Sequence, residues 1–299
     1  MGGQFWSVYI PCKTAYTEWS DDVKRTLEQI DVTKRMVKQY PNDFELALTA
    51  QDIRGAFARG RVASLMGIEG GHQIDSSLAT IRLMYELGVR YMTLTHNCHT
   101  PWADTHAVAP IHNGLTAFGK ELVLEMNRVG MFIDLSHVSV AVMRDVLTTS
   151  KAPIIFSHSS VHSICNTTRN VPDEILELTA RNGGVVMINF LSDFICCSNV
   201  CPLSDVADHI EYIAHNYGVD YIGVGADYDG GSNLPTGLED VSKYPHLFAE
   251  LVARNFSESD VAKILGGNLL RAMEAMEAVA LQLQTGNPEE SFIIPERTC

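Results

Sequence analysis

Along this chain, short apolar runs of strand length alternate with stretches in which apolar residues recur every three or four positions. The runs at 4–10, 62–68, 91–95, 131–135, 153–156, 185–190 and 221–224 read as strands. Helical periodicity falls at 77–87, 118–129, 140–149, 204–217 and 245–254, between or after them. An earlier helical stretch puts Val23, Leu27, Ile30 and Val37 on one face, which predicts that this face is buried. Thr49 followed by Asp52 has the pattern of a capping box, so a further helix is expected to start there and stop near Gly60. Repeated strand–helix units with near-continuous Val, Ile and Leu strands predict a parallel α/β sheet covered by helices, in the form of a TIM-like (β/α)8 barrel. Such a barrel has eight strands and the pattern supplies seven, so the first strand is expected upstream of Met1. Residues 258–283 read as a helical pair that finishes a single domain over 1–285, and 286–299, rich in Pro, Glu and Gln, read as a mobile tail.

Composition narrows the function classes. The 299 residues hold 22 basic and 36 acidic side chains, a formal charge of −14 that repels phosphate backbones and excludes nucleic acid as a partner. No apolar run is long enough to span a bilayer, and the N-terminus lacks the basic flank and apolar core of a signal peptide. Seven cysteines and the glycosylation patterns at Asn166 and Asn255 nevertheless point toward the secretory pathway.

Five of the strand-like runs finish on an ionisable side chain: Glu69, His96, His137, His158 and Asp227. In a parallel barrel those positions converge at the C-terminal mouth. Glu69, His137 and His158 are the carboxylate and imidazole donors that hold a catalytic zinc while leaving a position open for water. A single His after a strand is more often a hydrogen-bonded structural residue than a ligand, and recurrence at successive strands is what gives the set meaning. The stretch Gly225-Ala-Asp-Tyr-Asp-Gly230 lacks the later positions of a calcium loop, and no phosphate loop, dinucleotide fingerprint, Gly-x-Ser-x-Gly or His-Glu-x-x-His is present.

The segments GGQFWSVYIPC, GIEGGHQIDSSL, LTHNCHTPWAD, IDLSHVS, IFSHSSVHSICNTTRNVPD, VADHIEYI, GADYDGG and GLEDVSKYP resemble, in order, those of the membrane dipeptidases, also called renal dipeptidases. The resemblance runs from Gly2 to about residue 285 and implies a barrel of the metal-dependent hydrolase type holding two zinc ions. By resemblance, Glu69 bridges the ions, His137 and His158 hold the second, and His96 steadies the oxyanion. Arg169 is implied to receive the substrate carboxylate and Asp227 to pass the proton to the leaving amine; from the residues alone, Arg169 is equally a surface ion pair. Members of the family carry a His-x-Asp pair on the first strand that holds the first zinc, and no His-x-Asp occurs here. The expectation is therefore an N-terminally truncated chain with an incomplete first metal site and impaired hydrolysis of dipeptides. The family pattern further implies disulfides Cys12–Cys98 and Cys165–Cys197, an interchain bridge at Cys299 in a homodimer, export, glycosylation and a glycolipid (GPI) anchor at the cell membrane. Cys196 and Cys201 depart from that pattern and are left either paired with each other or free. The competing readings are a catalytically inactive barrel that serves as a binding protein, and a different amidohydrolase.

Overall fold

The computed structural model describes residues 1–12, 21–198 and 200–293. These divide into two compact units, Met1–Ala152 with the segment that starts at Met273, and Pro153–Ala272.

In the first unit, β1 (Gly3–Tyr9), β2 (Phe44–Leu46), β3 (Val62–Glu69), β4 (Val89–Thr93) and β5 (Phe132–Asp134) pair in parallel. β3 is the hub. β1 follows one of its edges from Gly3 opposite Ala63 to Tyr9 opposite Glu69, while β2 and then β4 share the other. Ala63, Leu65, Met66 and Ile68 of β3 are all buried, which is why this strand reads as an unbroken apolar run. The helices begin where the sequence offers a side-chain acceptor. Thr49 and Asp52 form the expected capping box of α2 (Ala50–Ala58), and Ser77, Thr116 and Ser139 cap α3 (Leu78–Glu86), α4 (Ala117–Val129) and α5 (Val140–Thr149).

α1 (Asp22–Gln39) departs from expectation: Thr26, Ile30 and Val37 are buried, Val23 is half-buried and Leu27 is 41% exposed. Polar contacts set that rotation. Thr26 hydrogen-bonds Gln73, whose amide donates to the Val8 and Glu69 carbonyls, and the Gln29 amide exchanges two hydrogen bonds with the backbone of Tyr9 at the end of β1. Satisfying these buried groups outweighs covering one leucine. Two boundaries also move. β4 starts directly after Gly88, whose φ of +106° turns the chain out of α3, and so ends two residues before the predicted position. β2 was too short to show a period.

In the second unit, β6 (Ile155–Phe156), β7 (Val185–Ile188) and β8 (Ile222–Val224) are again parallel. They are joined through α6 (Asp173–Asn182), α7 (Ser192–Ile195) and α8 (Leu203–Tyr217), and followed by α9 (Tyr244–Ala253), α10 (Glu258–Ala262) and α11 (Asn268–Leu283), the last of which runs out of this unit. Apolar periodicity does not mark α6, although Pro172 followed by Asp173 and Glu174 is a helix-start signal.

His209 on α8 is fully buried and joins the loop at Val161 to the end of α7. Its Nδ1 accepts from the Val161 N–H at 2.9 Å, so the proton sits on Nε2, which donates to the Ile195 carbonyl at 2.8 Å. Burial lowers its pKa to about 4, against roughly 6.5 in an unfolded chain. Below pH 6.5 the unfolded state therefore takes a proton that the folded state refuses. The stabilisation is complete above that pH and falls as pH drops toward 4, by about 3 kcal/mol in all. Urea unfolding between pH 7 and 4.5 is expected to show this loss, and His209→Gln is expected to flatten the slope; equal slopes in the two proteins would contradict it.

Candidate active site

Because the strands within each unit are parallel, their C-terminal ends share an edge, and the ionisable residues of the sequence reading sit there. In the first unit Glu69 ends β3, while His96 and His137 each lie three residues beyond β4 and β5. The structure brings these three together. Glu69 Oε1 is 3.3 Å from His137 Nε2 and 3.8 Å from His96 Nε2, and the two imidazoles stack with centroids 4.1 Å apart. Ser7 on β1 donates to the other carboxylate oxygen at 2.9 Å, and Tyr9 packs on the His96 ring. Burial, and then the Glu69 charge, raise the Tyr9 phenol above its usual pKa.

The backbone here is held in an uncommon shape. Asp134 Oδ1 accepts from the Ser136 N–H, and the next residue, His137, has φ +64°. A histidine is held in that left-handed region only when its surroundings over-determine it. They do: the His137 carbonyl accepts from Thr95 Oγ1 at 2.9 Å, from Thr105 Oγ1 at 3.1 Å and from the His106 N–H at 3.0 Å. The Thr105 hydroxyl also meets the His96 carbonyl. Asp104 fixes the loop that carries Thr105. Burial alone would raise its pKa, but N–H donors from Ile111, His112 and Gly114 outweigh this and hold it below the usual range.

Asn97 Oδ1 lies 3.3 Å from His137 Nδ1, which makes Nδ1 the donor and leaves Nε2 with its lone pair toward Glu69. A lone pair and a carboxylate oxygen at 3.3 Å repel unless a proton or a cation lies between them. Two ligands of one tetrahedral zinc, bonded at about 2.1 Å, are separated by about 3.4 Å. The donor types and the spacing both fit such an ion.

In the second unit His158 lies two residues beyond β6, Asn189 one beyond β7 and Asp227 three beyond β8. Ser157 Oγ is 2.7 Å from His158 Nδ1, so the opposite nitrogen, Nε2, is the one that approaches Asp227 Oδ2, at 4.0 Å. The Asn189 amide donates to the same Asp227 oxygen at 3.1 Å, and Asp227 has φ +61°. Gly225 makes this approach possible: a Cβ there would lie 1.9 Å from the Ser157 carbonyl oxygen. Arg169 is 3% exposed, which removes the surface ion-pair reading. It donates to the His158 carbonyl at 3.0 Å and to Ser159 Oγ at 3.2 Å, with its guanidinium 5.4 Å above the Phe194 ring.

Ser7, Asn97 and Asn189 are not singled out by the sequence pattern, and Ser157 enters it only as the neighbour of His158. Asn97 and Ser157 adjoin strand-end histidines, and Asn189 is the polar residue at the end of the 185–190 run, so position beside a strand end was the available signal. Among the cysteines, Cys12 is joined to Cys98 and Cys165 to Cys197, the pairs implied by resemblance, and Cys196 and Cys201 are free. Cys299 lies outside the described residues. Both sequon asparagines, Asn166 and Asn255, are exposed. No helix among the described residues is long and apolar enough to cross a membrane.

Parallel strands whose C-terminal ends carry imidazole and carboxylate donors define a class, the metal-dependent hydrolases on TIM-like barrels. A metallo peptidase from Rhodobacter sphaeroides, solved with a phosphinate mimic of the dipeptide L-Ala-D-Ala, shares this fold with a TM-score of 0.83 and 26% identity, over 92% of this chain and 87% of that one. Within the class, the chain belongs to the membrane dipeptidase family, peptidase family M19, whose profile matches residues 1–287. Dipeptidase 3 of Rattus norvegicus is 45% identical over 302 residues, which cover 99% of this chain and 60% of that protein. Dipeptidase aclJ of Aspergillus oryzae is 43% identical over 303 residues, covering 99% and 72%. The chain thus spans 60% of the length of its rat relative.

Proposed function

We propose that this protein is a zinc-dependent dipeptidase that hydrolyses the peptide bond of dipeptides, with Glu69, His137 and His158 as metal ligands. The observation that carries the reading is the facing pair of Glu69 Oε1 and His137 Nε2, each oriented from behind by Ser7 and Asn97. Relatives named dipeptidases at 43–45% identity support the substrate class. Zinc, two ions per subunit in the family, would supply Lewis acidity and an activated water near neutral pH, with the second site held by Glu69, His137 and His158 and the first left incomplete, and turnover impaired, by the absence of a His-x-Asp pair.

The chain's own residues do the rest. Glu69 contributes a fixed negative charge, and Ser157 sets the tautomer of His158 so that Nε2 is the ligating atom. His96, braced by the rings of Tyr9 and His137, donates toward the oxyanion that develops on the scissile carbonyl. Arg169 pairs with the free carboxylate of the substrate, for which a forked guanidinium is suited. Asp227, steadied by Asn189, carries the proton from attacking water to the leaving amine. The exposed Asn166 and Asn255 accept glycans, the disulfides form in an oxidising compartment, and the protein is displayed outside the cell on a glycolipid anchor as a homodimer linked through Cys299.

Zinc content and dipeptide turnover, measured on the same preparation before and after chelation, test the reading. Chelation is expected to lower turnover by about a hundredfold or more, and added zinc to restore it. Turnover indifferent to a chelator that strips the metal would overturn the role of zinc. A zinc-loaded protein that binds dipeptides without cleaving them would overturn the enzymatic role.

A further inference from the structure

Away from the strand ends, the second unit gathers another set of donors. Cys196 follows α7 directly, Cys201 precedes Pro202 at the start of α8, and Asp205 lies in the first turn of α8. Their Sγ, Sγ and carboxylate oxygen atoms all lie within 4.8 Å of one another. Cys201 is 2% exposed and its thiol donates to Asp205 Oδ2 at 3.5 Å, while Cys196, partly exposed, points its thiol at the carbonyls of Ser192, Ser198 and Val200.

We propose that Cys196, Cys201 and Asp205 form a binding site for a soft divalent cation, Zn²⁺ or Cd²⁺, separate from the candidate active site. Thiolates select such ions over magnesium or calcium. Two thiolates on one tetrahedral zinc lie about 3.8 Å apart, so donors already within 4.8 Å need to move little. The supports are rigid. Cys196 N–H donates to the Ser192 carbonyl, its neighbour Cys197 is fixed by the bridge to Cys165, and the Cys201 carbonyl accepts from Thr236 N–H at 2.8 Å. Asp205 stands on a fifteen-residue helix. Binding exchanges protons for metal: each thiol loses its hydrogen as it ligates, so two protons leave for each cation taken up. Electrons are not transferred. Three side-chain ligands leave one coordination position for solvent or an added ligand.

Cadmium titration of the full chain tests this, because thiolate-to-metal charge transfer absorbs in the ultraviolet and the candidate active site contains no thiol. One equivalent of Cd²⁺ is expected to produce the band and release two protons. Cys196→Ser and Cys201→Ser are expected to abolish the band. Asp205→Asn, which preserves both thiols, is expected to keep the band and weaken affinity roughly tenfold or more, with dipeptide turnover unchanged. Should Cys201→Ser fail to fold, the partly exposed Cys196 and the Asp205 variant still decide the matter. Absence of the band, its persistence in the Cys196 variant, or peptide mapping that finds Cys196 bonded to Cys201 would each overturn the site. Dipeptide turnover is unaffected by any of these results, so the two readings stand or fall separately.

Discussion

Glu69→Gln is expected to lower dipeptide turnover on the order of a thousandfold while leaving the protein folded. The substitution keeps the size and shape of the side chain and removes its charge. Ser7 can still donate to the remaining carbonyl oxygen as it does now to Glu69 Oε2. The decisive change is at the other end. His137 Nε2, whose lone pair faces Glu69 Oε1 at 3.3 Å, would meet an amide N–H in the variant and accept a hydrogen bond from it. A pair held together by a shared proton or a cation becomes a pair that satisfies itself. The variant should therefore unfold at the same or higher denaturant concentration than the parent when both are stripped of metal, and should bind zinc far more weakly. Metal analysis, denaturant midpoints and kcat/KM on one set of samples check all three. A variant that retains full zinc and full turnover would show that Glu69 is a bystander. A variant that unfolds in the absence of metal would show that the carboxylate is there for stability.

That experiment also isolates what a linear reading of the chain could and could not contain. The strand-end positions of Glu69 and His137 in the first unit, and of His158 and Asp227 in the second, were legible because each interrupts the end of an apolar run and parallel strands within a unit end on one edge. Their partners were not, because hydrogen bonds such as Asn97 to His137 and Asn189 to Asp227 join loops that no periodicity places. The left-handed backbone at His137 and Asp227 was equally hidden, since nothing in their residue types requires it. In the fold, the buried run of β3 and the capping box of α2 followed directly from local pattern. The face of α1 did not. Its apolar spacing pointed at Leu27, and polar groups of Gln29 and Gln73, 20 and 47 residues from their partners Tyr9 and Thr26, rotated it away.

Glu125→Ala is the substitution outside the candidate site expected to cost the most, about 3 kcal/mol of stability. Glu125 on α4 is fully buried, and its carboxylate accepts from Arg128 Nε and Nη2 at 2.8 Å each, from Arg82 Nη1 at 2.9 Å and from the Glu289 N–H at 3.2 Å. Burial by itself would raise its pKa, but the two guanidiniums and the backbone donor outweigh that and hold it below the usual carboxylate range. Such a group contributes stability above its unfolded pKa and loses it as pH falls through the folded value, so the parent should weaken below about pH 4 and the variant should not share that part of the loss. Alanine leaves Arg128, 17% exposed, and Arg82, 29% exposed, without the charge they surround. Partial exposure lets water reach both, which keeps the cost at the lower end of the range for broken buried pairs. Replacing Glu125 by Leu together with Arg128 by Met removes the carboxylate and the more buried of its two cations and should cost less than the single alanine change, because only the more exposed Arg82 loses its partner. The same carboxylate anchors the C-terminal segment, through Glu289 N–H directly and through Arg82, which also donates to the Glu289 carbonyl at 3.1 Å. Loss of Glu125 should thus expose the chain after α11 to limited proteolysis before the rest of the protein unfolds, and equal cleavage rates in parent and variant would show that this anchor is dispensable.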